Sequence, residues 1–293
     1  MDNANVMSKK ALKVKNGSTA LKVTIYVVCI VLAILSILPF WIMFVNATRS
    51  TVEIQSHAIS LIPSNFLKNN WAIISANDTF VPMRGFINSF IIATGSTICS
   101  IYFSTLTAYA IIVYEWKLKA AFYNYILAVM MIPGQVVTIG FFQMVYKLGF
   151  TNNILMLILP GIAAPMTVFY MRQYMVPALS MEIIQAARID GAKEFYIFNR
   201  IALPLLKPAI ATQAIFAFVA SWNSLFTPMI LLAQDKTKYT MPMMVSQLRG
   251  DIYKTELGSI YLGLSVTVLP LFIVYFALSK YIIAGVALGG VKG

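Results

Sequence analysis

The chain has 293 residues, 59% hydrophobic and only 11% charged, with a net charge of +12 and a mean hydropathy of +0.79. A soluble globular domain carries about 25% charged residues, so this composition excludes one and makes the bilayer the chain's main solvent. The Lys and Arg residues sit between apolar runs and not on one folded face, which argues against a nucleic-acid partner and marks them as topology determinants. Backbone groups in lipid must bond internally, and the long continuous apolar runs satisfy this as helices, not as the alternating strands of a barrel.

The expectation is an all-α polytopic membrane protein with six transmembrane helices in contact with membrane lipid. Residues 1–22 form a basic tail. The spans run at about Val23–Ala47, Phe86–Tyr114, Tyr125–Tyr146, Asn153–Tyr170, Ala209–Ala233 and Ser259–Ile283, within reach of a bilayer at a rise of about 1.5 Å per residue. The first run, Val23–Val45, is longer than a secretory signal core and no small-residue cleavage site follows it, so it reads as a retained span. Cys29 and Cys99 lie inside apolar runs and read as small buried hydrophobes, not as a disulfide. An even number of spans puts both termini on one side. With the N-terminus cytoplasmic, fourteen Lys and Arg fall inside and eight outside, the bias expected of cytoplasmic loops. Thr48–Gly85 and Gln234–Gly258 are then outer loops.

Within the spans, the second is rich in hydroxyls, among them Ser89, Ser96, Ser100 and Ser104. Helix-interface packing is the first reading of these and a pore lining the second. Gln135, Gln143 and Asn223 are candidate pathway residues, because buried amides need partners. Pro133-Gly134, Pro160-Gly161, Pro228 and Pro270 punctuate the spans. Each marks either a packing kink or the broken helix of a substrate site. No Asp, Glu, Lys, Arg or His lies deep in a predicted span, which argues against a proton-coupled carrier. His57, the single histidine, has no assigned role. The sequence offers no catalytic constellation, no metal-ligand spacing and no Gly-Lys dipeptide for a phosphate-binding loop. The chain therefore reads as non-catalytic, with no metal and no cofactor of its own.

The polar stretch Ser180–Pro208 stands apart between two apolar runs. Ser180 suits an N-cap, and Glu182 in the first turn suits the positive end of the helix dipole. Ile183, Ala186, Ala187 and Asp190 recur at helical spacing on one face, where the alanines allow close approach by a partner. Gly191 can end the helix in a left-handed conformation. Pro204 and Pro208 break the segment that follows. A docking handle and an interfacial helix lying on lipid remain equal readings of this stretch.

Gln185-Ala186-Ala187-Arg188-Ile189-Asp190-Gly191-Ala192, followed by Ile201-Ala202-Leu203-Pro204, resembles the EAA motif of ABC importer permeases. Gln185 stands where that motif usually has Glu, which removes a charge but leaves an amide able to bond. Asn88-Ser89, Leu106-Thr107-Ala108-Tyr109-Ala110, Met131-Ile132-Pro133, Trp222-Asn223-Ser224-Leu225-Phe226-Thr227-Pro228 and the tail Gly289-Gly290-Val291-Lys292-Gly293 extend the match over residues 20–293. Together they resemble the shorter permease subunit of carbohydrate-uptake ABC importers. The resemblance implies a type I importer permease whose transmembrane domain covers residues 23–288, with a cytoplasmic coupling segment at 180–208 between the fourth and fifth helices. It implies a second permease in a heterodimer, two ATPase subunits carrying ATP and Mg, and an extracytoplasmic solute-binding protein. Gln185, Ala186, Ala187, Asp190, Gly191 and Ala192 would dock the ATPase. The loop Gln234–Gly258 would reach toward the binding protein and the tail Gly289–Gly293 toward the ATPases. The implied location is a bacterial or archaeal cell membrane, with both termini cytoplasmic. A permease for another solute, such as glycerol phosphate, shares most of these motifs; a self-contained carrier leaves the polar stretch without a use.

Overall fold

The computed structural model describes residues 2–76, 78–248 and 256–289. Part of the predicted Gln234–Gly258 loop and positions 290–293 of the predicted tail lie outside the described residues. Every regular element among the described residues is helical.

Helix α1 (Asp2–Asn46) is followed by two short helices, α2 (Thr51–Ser56) and α3 (Leu67–Ser75), and then by the long α4 (Pro82–Val113). Next come α5 (Lys119–Met130), α6 (Gly134–Lys147) and α7 (Leu155–Ile158), which continues through a 3-10 turn at Leu159–Ile162 into α8 (Pro165–Ala178). Helices α9 (Met181–Ile189) and α10 (Glu194–Tyr196), a π-helical turn at Ile197–Ala202 and α11 (Leu203–Leu205) fill the polar stretch. The chain closes with α12 (Lys207–Trp222), α13 (Phe226–Leu231), α14 (Met241–Gln247) and α15 (Leu257–Gly289).

Four helical segments are long and apolar enough to cross a membrane: Leu21–Asn46, Pro82–Val113, Leu155–Ala178 and Leu257–Phe276. The number becomes six if each of two bent pairs is one span. The expected third span is one such pair, with α5 and α6 meeting at 96° across Met131–Pro133. Pro133 has no N–H to donate and drives the residue before it away from helical geometry. The other pair is the stretch Glu194–Leu205 with α12, bent by 82°. The expected fifth span, Ala209–Ala233, is itself two helices, because α12 stops at Trp222 and α13 starts at Phe226.

The described chain divides into two compact units. The smaller combines the residues up to 73 with 256–265. Its centre is a polar knot. Asn70 Nδ2 donates to the carbonyls of Ala47 and Arg49, both at 2.9 Å, and the Asn70 carbonyl accepts from Ser259 Oγ at 3.3 Å. Arg49 is buried and donates to Asn46 Oδ1 at 2.9 Å and to the carbonyls of Glu53 and His57 at 2.7 and 2.8 Å. Ser50 and Glu53 cap α2 reciprocally. Cys29 is exposed on α1 and Cys99 half-buried on α4, both as free thiols. The expected burial of Cys29 fails because none of the apolar window of α1 is covered by this chain.

The larger unit is built on α4, against which α8 and α12 pack. Near the C-terminal end of α4, Tyr109, Met171, Met175, Ile184, Ile197 and Phe198 form one fully buried cluster. The Tyr109 and Phe198 rings lie 5.2 Å apart. Toward the other end, Trp222 is buried between Phe86 and Phe218 and donates its indole N–H to the Thr267 carbonyl at 3.1 Å.

Candidate functional site

Within the larger unit lies a cavity of about 430 Å³ bordered by α4, α6, α7, α12 and α13. Ser89, Ser96 and Ser100 line it from α4. They follow one another at i, i+7 and i+11, a single stripe on that helix. Thr138 and Phe141 of α6 and Ser221, Ser224 and Thr227 near the end of α12 face the same space. Ser100 also meets the Thr167 hydroxyl of α8 at 3.2 Å, so the hydroxyl stripe serves both packing and lining. Among the described residues no charged side chain borders the cavity.

Pro160, Gly161 and Pro228 line this space, whereas Pro133-Gly134 and Pro270 do not. A Cβ on Gly161 would stand 2.6 Å from the Ser96 carbonyl, so Pro160-Gly161 brings the 3-10 turn directly against the α4 backbone. Gln135, Gln143 and Asn223 are exposed on the chain surface and lie outside the lining. Their helices do border the cavity, but through neighbouring residues one or two positions away. The bend at Pro133 and the stop after Trp222 set that rotation, and neither can be read from spacing.

Where Ser89 and Thr240 line the cavity, a hydrogen-bonded layer adjoins it that the sequence did not disclose. Asn88 Nδ2 donates to the carbonyls of Thr237 and Tyr239 at 2.9 and 3.0 Å. The Met241 N–H donates to Ser89 Oγ at 2.9 Å, and Lys238 Nζ to the Asn152 carbonyl at 2.8 Å. Between these contacts sits Thr240, which lines the cavity, is 4% exposed, and keeps its hydroxyl enclosed without a hydrogen-bond partner among the described residues. The signal in the sequence was the Asn88-Ser89 dipeptide, which carries no hint of what it binds.

The second feature is α9. Ser180 Oγ accepts from the Glu182 N–H at 3.2 Å as the N-cap. At the other end Gly191 has φ of +80°. Its N–H donates to the Arg188 carbonyl and the Ala192 N–H to the Ala187 carbonyl, both at 3.0 Å. Those two bonds make a Schellman motif with Gly191 in the left-handed position. The face expected from spacing is divided. Ile184 and Ala187 are buried in the core cluster, whereas Ile183, Gln185, Ala186 and Asp190 are exposed and Ala192 is half-buried. Alanine suits either side of a helix, and only the long-range packing on Ile197 and Phe198 turned Ala187 inward.

A polar clasp fixes the turn after α9. Glu194 accepts from Arg188 Nε and from the Tyr114 hydroxyl, each at 2.6 Å. The Arg188 hydrogen bond, then that of Tyr114, hold the Glu194 carboxyl below its usual range. Desolvation and the neighbouring carboxylate push the Tyr114 phenol up to about 12, so it stays a donor. The following π-helical turn precedes Pro204, which lacks a backbone donor, and a wider turn accommodates that loss. Ile189 is 87% and Phe195 72% exposed, two uncovered apolar side chains on an otherwise polar stretch. Among the described residues no group of His, Cys, Asp and Glu could hold a metal ion.

The family described as binding-protein-dependent transport system inner membrane component matches residues 100–287. The chain is 32% identical over 264 residues to the arabinooligosaccharides transport system permease protein AraQ of Halalkalibacterium halodurans, covering 89% of this chain and 93% of that protein. It is 32% identical over 267 residues to the lactose transport system permease protein LacG of Rhizobium radiobacter, covering 91% and 95%. In fold it is similar to a chain of a bacterial ABC transporter that imports the acidic polysaccharide alginate, with a TM-score of 0.74 at 21% identity, over 90% of this chain and 97% of that one.

Proposed function

We propose a function from one premise: this chain belongs to the family of binding-protein-dependent transport system inner membrane components. It is a multi-pass membrane subunit whose relatives are permeases of sugar importers. On our reading it forms half of a translocation pathway with a second permease. Two cytoplasmic ATPase subunits dock on α9 and supply the ATP and Mg that this chain does not bind. An extracytoplasmic solute-binding protein delivers the sugar. Both termini then lie in the cytoplasm of a bacterial or archaeal cell, and the chain performs no catalysis itself.

The observation that carries this reading is the two-sided build of α9. Its inner side is fixed in the core by Ile184 and Ala187, and its outer side presents Ile189 with Ala186 and Asp190. A push on the outer side therefore reaches α4 and α8 as a rigid body, which is how alternating access is driven in broken-helix transporters. The uncharged, hydroxyl-lined cavity favours a neutral polyol over an anion such as glycerol phosphate. The test is gentle purification of the chain from its native membranes with mass spectrometry of what accompanies it. A second permease and an ATPase are expected. Recovery of the chain alone would overturn the importer reading and leave a self-contained carrier.

A further inference from the structure

A second polar cavity, of about 390 Å³, lies away from the hydroxyl-lined one, between the end of α4, the start of α5 and α8. Lys117, Lys119 and Arg172 line it, with Glu115 as the carboxylate among them. Glu115 is already engaged by Lys119, 2.7 Å away. Among the described residues of the lining, Lys117 and Arg172 therefore remain without a counter-charge. The Arg172 guanidinium sits over the Tyr123 ring, 4.2 Å from its centroid, and its Nε is shut from solvent with no hydrogen-bond acceptor among the described residues. A buried guanidinium N–H without an acceptor calls for one, and a phosphate oxygen matches a guanidinium best. Trp116 and Tyr123 in the same lining are the residue types that settle at headgroup depth. The hydrogen bond from Tyr114 to Glu194 places this cavity on the α9 side of the bundle, where anionic headgroups gather if that side is cytoplasmic.

We propose that this cavity binds a phosphate group, held by Arg172 and Lys117 beside the Lys119–Glu115 pair, as in the phosphodiester of an anionic lipid headgroup. The proposal needs only a membrane chain and stands apart from the importer reading. Native mass spectrometry of the chain, purified with whatever subunits it carries and titrated with phosphatidylglycerol, tests it. Removing each basic side chain should weaken binding about five-fold, so Lys117→Gln and the double variant Lys117→Gln with Arg172→Gln should show stepwise loss. Lys117 is exposed, so its variant reports on binding even if the double variant fails to fold. Inorganic phosphate is the second arm. Competition by millimolar phosphate would assign the site to free phosphate, and no competition would assign it to the lipid. Equal phosphatidylglycerol binding by wild type and Lys117→Gln, with no phosphate binding by either, would overturn the proposal.

Discussion

At the scale of single residues, two glycines show how backbone geometry limits what a position accepts. Gly191 sits at φ of +80° with no atom within 4 Å of a Cβ built there. Substitution thus costs backbone strain and not a clash, about 1–2 kcal/mol for an ordinary side chain and more for a β-branched one. Gly191→Val is expected to abolish uptake while membrane insertion persists, and Gly191→Asn to retain much of it, because Asn tolerates this conformation; transport assays beside membrane fractionation check both. Gly161 is the opposite case. A methyl there meets the Ser96 carbonyl, so Gly161→Ala should lower thermal stability by about 1–3 kcal/mol, read as a shifted melting curve of the purified complex. The turn at Gly191 was legible in the sequence because a helix followed by Asp-Gly has few other endings. The contact at Gly161 was not, since it depends on a helix more than sixty residues earlier in the chain.

At the scale of elements, α9 has a buried side and an exposed side, to which the proposed docking assigns separate jobs. Ile184→Ala empties a fully buried site, at a cost of about 2–5 kcal/mol, and should loosen the anchoring of α9. Uptake is then expected to fall while the ATPase still co-purifies. Ala186→Glu alters the exposed side and should reduce ATPase recovery itself. Identical behaviour of the two variants in pull-down and uptake assays would contradict the division. The clasp after α9 makes a pH prediction. Because the Glu194 carboxyl is held below its usual range, its contribution is present above the unfolded value of about 4.3 and is lost as pH falls through the lowered folded value. The protection factors for hydrogen exchange at residues 190–197, taken relative to the intrinsic exchange rate at each pH, should therefore stay constant from neutrality down to about pH 4 and fall only below that. The Ser180 cap was legible because it is local. The Tyr114 partner of Glu194 was not, because the two residues meet only when the end of α4 packs against α10.

At the scale of the whole molecule, the chain is a permease subunit of a transport system, and the proposed function puts the motor on partner ATPase subunits. Vesicles holding both permeases but no ATPase should take up no sugar against a gradient, and uptake there would reinstate a self-contained carrier. The sequence by itself determined the membrane class, the all-helical build, the caps of α9 and the family. These follow from composition, from apolar run length and from residues whose preferences act over one or two turns. Only the tertiary structure decided that the third expected span bends by 96°, that Ala187 turns inward, and that hydroxyls line the cavity while Gln135, Gln143 and Asn223 do not. Each of these depends on the rotation of one helix against another. Packing between distant segments fixes that rotation, and a periodic pattern of small and apolar residues permits several solutions.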